Sequence, residues 1–252
     1  MKCKNCSNDF IGQYCNTCGQ KIADRITFKN IRDQIVEDIF DVDKGLIYTI
    51  KQLWINPGKT ASDYIAGKRK NYYGPIKYLV LWTAIFFIIS PLVAADRKTN
   101  SITNLVFNPH VPFSSQSLED FLGIYLELLV RHTDLFYLGM TPFFILVSYY
   151  IFKKQKFSFM ELSIPYLYLS GQIVLVLVVT FPMVKFIGDK ALFPFMLLMV
   201  LLLIYFVIKM HKQLFQESWT RTVIKSLTVI YVGQIIYGLT AYGILNLIKT
   251  LN

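Results

Sequence analysis

Five runs contain no Asp, Glu, Lys or Arg and are dominated by Leu, Ile, Val and Phe: Tyr78 to Ala95, Leu135 to Phe152, Leu162 to Val184, Ala191 to Ile208 and Ser226 to Ile248. A helix needs about 20 apolar residues, and at least roughly 17, to cross the hydrocarbon core of a bilayer, and every one of these runs clears that minimum. A charge at its centre costs about 2.5–3.5 kcal/mol on insertion scales. Five such runs in 252 residues leave too little polar surface for a soluble helical core. Charged residues make up 17% of the chain, against roughly 25% in an average soluble protein. A sixth uncharged run, Thr99 to Leu118, holds Asn100, Asn104, Asn108, Pro109 and Pro112 and reads as loop. The expectation is an all-α integral membrane protein of about five transmembrane helices, with spans near 78–95, 135–152, 162–184, 191–208 and 226–248.

The loops orient these spans. Of the 26 Lys and Arg residues, 20 fall before the first span, between the second and third, or between the fourth and fifth. Basic loops stay in the cytoplasm, which predicts a cytoplasmic N-terminus and an external C-terminus. Positions 1–25 carry no apolar signal segment, so the N-terminus is expected to belong to the mature protein. The net charge of +10 is explained by the bilayer and its anionic lipids, with no specific nucleic-acid partner.

All four cysteines lie close to the N-terminus, as Cys3-Lys-Asn-Cys6 and Cys15-Asn-Thr-Cys18. Two CxxC pairs are the arrangement that closes a tetrahedral zinc site. Two disulfides or a redox pair are the competing readings. A cytoplasmic terminus disfavours the first, and the lack of a βαβ context disfavours the second. Four thiolate ligands leave no open position, so the zinc is structural. About 20 residues cannot bury a core, and the metal supplies the folding energy. Gly12 is placed to turn the segment between the pairs, and Gly19 to turn the chain after the second. Lys2, Lys4 and Lys21 offset the negative charge of a zinc–thiolate centre.

Three units follow: a zinc ribbon-like head over 1–22, cytoplasmic or interfacial amphipathic helices over 23–75, and a membrane domain over 76–252. Residues 27–40 place Phe28, Ile31, Ile35 and Ile39 at helical spacing behind Thr27. A second helix follows Asp43, with Leu46, Ile47, Ile50, Leu53 and Trp54 as its apolar stripe, and ends at Asn56-Pro57-Gly58. A third, shorter piece spans Thr60 to Ala66. Trp54 and Tyr64 suit an interfacial depth. Lys68, Arg69, Lys70, Tyr72 and Tyr73 then form a basic and aromatic patch, either a lipid- or partner-binding surface or an ordinary topology anchor.

The start Cys3-x-x-Cys6, then Gly12-x-Tyr14-Cys15-x-x-Cys18-Gly19-Gln20, resembles bacterial zinc-ribbon heads. The stretch Asp41-Val42-Asp43-Lys44-Gly45-Leu46, then Asn56-Pro57-Gly58-Lys59, then Tyr64-Ile65-x-Gly67-Lys68-Arg69-Lys70-x-Tyr72 resembles a bacterial membrane family catalogued as domain of unknown function 3667. The likeness covers about residues 1–90 in motif detail. It implies a zinc head on a multi-span membrane body, hence the bacterial inner membrane, and no activity. Read physically, Asp43 is placed to cap the second helix, and Pro57-Gly58 to turn the chain at the membrane surface.

Chemistry is sparse elsewhere. No phosphate-binding loop, dinucleotide fingerprint, zinc-protease motif or nucleophile elbow is present. The three histidines, His110, His132 and His211, read as residues of separate loops. Gln172 and Gln234 are the mid-span polar residues, suited to hydrogen bonds between helices. The expectation is a non-enzymatic scaffold or adaptor that binds a partner through its zinc head. One alternative is a transporter or lipid-handling protein, with Gln172 and Gln234 lining a cavity. Another is a membrane enzyme acting on a lipid-linked substrate through Arg131, His132 and Asp134.

Overall fold

The computed structural model describes residues 1–22, 45–94, 133–183 and 189–251. Among them the chain forms seven α-helices and no strand beyond isolated bridges. The helices are α1 (Leu46–Ile55), α2 (Pro57–Ile65), α3 (Pro75–Ala94), α4 (Thr133–Ile151), α5 (Phe159–Met183), α6 (Asp189–Phe215) and α7 (Trp219–Leu251). The predicted amphipathic helix over 27–40, the Asp43 cap, the loop over 99–118 and the grouping of Arg131, His132 and Asp134 lie outside what the structure describes, as does His110.

Each expected span maps onto one helix, α3 to α7. Three stretches are long and apolar enough to cross a membrane: Phe159–Met183, Leu197–Phe215 and Trp219–Gly243. The described apolar parts of α3 and α4, Pro75–Ser90 and Gly139–Ile151, are shorter. Large apolar side chains face outward along these helices, among them Phe87 and Ile88 on α3, Leu198 and Leu201 on α6, and Ile235 and Leu239 on α7. Water penalises such a surface, whereas lipid does not.

Helix α5 is the axis of the bundle. It is mostly buried, whereas α6 and α7 turn most of their apolar length outward. It starts at a capping box: the Ser158 amide donates to Glu161 Oε2 (2.8 Å), and the Glu161 amide donates to Ser158 Oγ (3.2 Å). Helices α3 and α4 pack along it, and α7 packs on α4 and α6. Helices α5 and α6, although consecutive, touch along little of their length.

Helices α1 and α2 form a hairpin seated on the ends of α5 and α6. Asn56 both ends α1 and precedes α2, and Pro57 opens α2 at the first helical position, where its missing N–H costs nothing. The short helix expected from Thr60 therefore begins earlier, at Pro57. Gly45 precedes α1 with no side-chain cap. The buried face of α2 includes Pro57, Gly58, Ala61 and Tyr64. A Cβ on Gly58 would collide with the Met210 carbonyl oxygen, so only glycine allows this approach. The Gly58 amide donates to Gln213 Oε1 (3.0 Å), and Gln213 Nε2 donates to Asn56 Oδ1 (3.3 Å).

This contact explains one departure from expectation. The fourth charge-free run ends at Ile208, which predicts a loop from Lys209. Instead α6 continues to Phe215, because Lys209 and Gln213 bind the α1–α2 hairpin, Lys209 Nζ donating to the Trp54 carbonyl at 3.2 Å. His211 accordingly lies within a helix, fully buried, and not in a loop. Its Nε2 sits 2.8 Å from the Tyr166 hydroxyl and its Nδ1 2.7 Å from Ser226 Oγ, which ties α5, α6 and α7 together.

Candidate metal centre and its docking loop

The head, over 1–22, consists of two turns of one design. In the first, the Cys3 amide donates to the Asn8 carbonyl (2.9 Å), the Ser7 amide to the Cys3 carbonyl (2.9 Å), and Lys2 bridges Asp9. In the second, the Cys15 amide donates to the Gln20 carbonyl (2.9 Å), the Gly19 amide to the Cys15 carbonyl (2.7 Å), and Tyr14 bridges Lys21. Ser7 and Gly19 take the same left-handed conformation, with φ of 63° and 70°. That turn directs both sulfurs of a pair toward one point. Gly12, with φ of 105°, reverses the chain between the two turns.

The four sulfurs all lie within 4.8 Å of one another. Cys3 Sγ is 3.7 Å from Cys18 Sγ, and Cys6 Sγ is 3.6 Å from Cys15 Sγ. A tetrahedron with Zn–S bonds of about 2.3 Å has edges of about 3.8 Å, whereas a disulfide needs about 2.05 Å. The cysteines are free, and their spacing suits a tetrahedral ion. Phe10, 7% exposed, packs beneath Cys3 and Cys15 as the head's apolar floor.

Backbone amides prepare the thiols for metal. The Cys18 amide pulls the Cys15 thiol down to about 6, and the Cys6 amide lowers Cys3. At Cys6 the Asn8 amide acts in the same direction, but burial and the three neighbouring sulfurs outweigh it and push the thiol up to about 12.

The head is fastened to the rest of the chain through Gln20, whose side chain is only 6% exposed. Its Nε2 donates to the Gly67 carbonyl (2.7 Å), and its Oε1 accepts from the amides of Arg69 (3.1 Å) and Lys70 (3.3 Å). One amide side chain thus satisfies three backbone groups of the loop between α2 and α3. Gly67, with φ of 94°, presents its carbonyl to the head. The Lys70 side chain lies over Gly19, where an added Cβ would be 3.6 Å from Nζ.

The remaining patch residues are distributed along this loop. Lys68 Nζ pairs with Asp63 Oδ1 at 3.0 Å and is exposed. The Arg69 guanidinium lies 5.1 Å over the Tyr64 ring. The Tyr72 hydroxyl donates to Asp63 Oδ2 (3.2 Å), and burial together with that carboxylate pushes its phenol up, keeping it a donor. Tyr73 is buried at 6%. Its amide donates to Thr49 Oγ1 (2.7 Å), and its carbonyl accepts from the Tyr168 hydroxyl (2.7 Å). The loop is thereby pinned to α1 and α5 as well as to the head. Sequence reasoning assigned Gln20 no role. The repeat of one turn by the other, which aligns Gln20 with the exposed Asn8, was the signal available.

A family model described as a protein of unknown function, DUF3667, matches residues 43–87. That stretch contains α1, α2, the docking loop and most of α3. Neither a curated protein nor a solved structure matches the chain.

Proposed function

We propose that this protein is a non-enzymatic membrane scaffold whose zinc-bound head holds the membrane-proximal loop in a fixed shape and presents it, with the head's own surface, to a partner. The observation that carries this reading is the Gln20 clamp. The clamp residue belongs to the same turn as Cys15 and Cys18 and engages the loop that bears Lys68, Arg69 and Lys70. Metal binding and loop geometry are thus linked through a single side chain.

Five spans, α3 to α7, anchor the scaffold in a bacterial inner membrane, with the head in the cytoplasm and the C-terminus outside. Zinc is the ion that a closed set of four cysteines suits best. Lys68 and Lys70 attract anionic headgroups, worth about 1 kcal/mol each near such a surface. Ile47, 79% exposed, together with Tyr48 and Ile55 on the outer face of α1, supports an interfacial placement of the hairpin. The head offers Ile11, fully exposed, and Tyr14, 57% exposed, as contacts for a protein partner.

The test is affinity purification from gently solubilised membranes, comparing wild type, Gln20→Ala and the double variant Cys15→Ser, Cys18→Ser, with metal measured in parallel. A partner lost from both variants, while Gln20→Ala keeps its zinc, supports the scaffold. Partners unchanged in all three samples refute it.

A further inference from the structure

The thin contact between α5 and α6 leaves a cleft of about 510 Å³, open mouth included, lined by side chains such as Ile173 and Val176 of α5 and Met199, Leu203 and Phe206 of α6. Val200, half exposed, stands at its rim, so the cleft opens sideways toward the outward-facing apolar surface. An open apolar groove of this kind suits a segment of a lipid chain lying along it. Among the described residues Gln172 is the one polar side chain lining it. Gln172 also lines a smaller adjoining cavity that reaches inward to Leu53 and Pro57 of the α1–α2 hairpin.

The Gln172 amide is only half used. Its Oε1 accepts from the Tyr78 hydroxyl at 2.6 Å, which fixes the side chain across α3 and α5. Its Nε2 is buried and has no hydrogen-bond partner among the described residues. A buried donor left unsatisfied is destabilising, a cost that a residue serving only as packing does not need to incur. From Glu161, the last charged residue before Gln172, the helix rises about 17 Å, at ~1.5 Å per residue. That is roughly the middle of a hydrocarbon core about 30 Å thick. The ester carbonyls of bulk phospholipids lie at the edges of that core and do not reach it.

We infer that the α5–α6 cleft binds a neutral lipid carrying a carbonyl oxygen within its apolar body, held by a hydrogen bond from Gln172 Nε2. None of the described residues lining the cleft is charged, which excludes an anionic headgroup. The single donor requires an acceptor, which a plain hydrocarbon chain lacks. Tyr78 orients the amide and is a positioning residue.

Native mass spectrometry of the full-length protein in detergent micelles tests this with two probes. Heptadecan-9-one carries a mid-chain ketone; heptadecane differs only in lacking it. Wild type should retain the ketone about tenfold better, the value of one hydrogen bond of ordinary net strength. Gln172→Leu should bind both equally, and Tyr78→Phe, which leaves Nε2 in place, should keep a preference. Equal retention by wild type overturns the inference and needs no variant to be read. An undiminished preference in Gln172→Leu, with its unfolding temperature measured alongside, overturns it as well.

Discussion

At the scale of single residues, Gln20 and the four cysteines differ in how visible they are in the sequence. Cys3, Cys6, Cys15 and Cys18 announce a metal site because the chemistry is local, each pair needing only its own turn. Gln20 finds its partners 47 to 50 residues away, and no local pattern encodes that distance. Replacing Gln20 by Ala removes the acceptor shared by the Arg69 and Lys70 amides and the donor to Gly67. Hydrogen exchange in the segment from Gly67 to Tyr72 should then quicken about tenfold or more, with the metal still bound. Unaltered exchange would mean that the loop holds its shape through Tyr73 and Asp63 alone. His211 was illegible for the same reason: its hydrogen-bond partners, Tyr166 and Ser226, lie on two other helices. Among basic residues beyond an apolar run, it reads as loop.

At the scale of elements, the apolar runs located α3 to α7, while their ends depended on tertiary contacts. The charge-free criterion stops the fourth span at Lys209, yet the helix extends because its polar last turns have α1 and α2 to bind. Asn56-Pro57-Gly58 reads as a turn, and it is one. Its more demanding role, the close seat of Gly58 on Met210, needed the structure. Gly58→Ala places a methyl group against backbone, not against a flexible side chain. It should destabilise the protein by about 1–3 kcal/mol, read as a lowered unfolding temperature in micelles. Ser226→Ala breaks one link of the three-helix chain through His211. Hydrogen bonds between membrane helices average ~0.6 kcal/mol and reach roughly 2 kcal/mol, so the loss should be of that size. A neutral result would assign the hold of α7 on α6 to apolar packing.

At the scale of the whole molecule, the proposed topology is checked by labelling with a membrane-impermeant maleimide. In intact spheroplasts, with the four native cysteines replaced by serine, a cysteine introduced by Lys249→Cys should react, and one introduced by Lys154→Cys should react only after the membrane is opened. The reverse pattern would invert the orientation, and reaction of both in intact cells would break the five-span count. The α1–α2 hairpin carries a further consequence, in time. Its seat on α6 joins residues 155 to 157 positions apart, Trp54 to Lys209 and Asn56 to Gln213. At about 5–20 residues per second of translation, roughly 8–30 s separate the two halves of that contact. The link from head to loop closes over at most 50 residues and is available well before. The nascent chain thus completes a small N-terminal assembly of head and loop early. The buried face of α2 waits beside the ribosome until the sixth helix emerges to receive it.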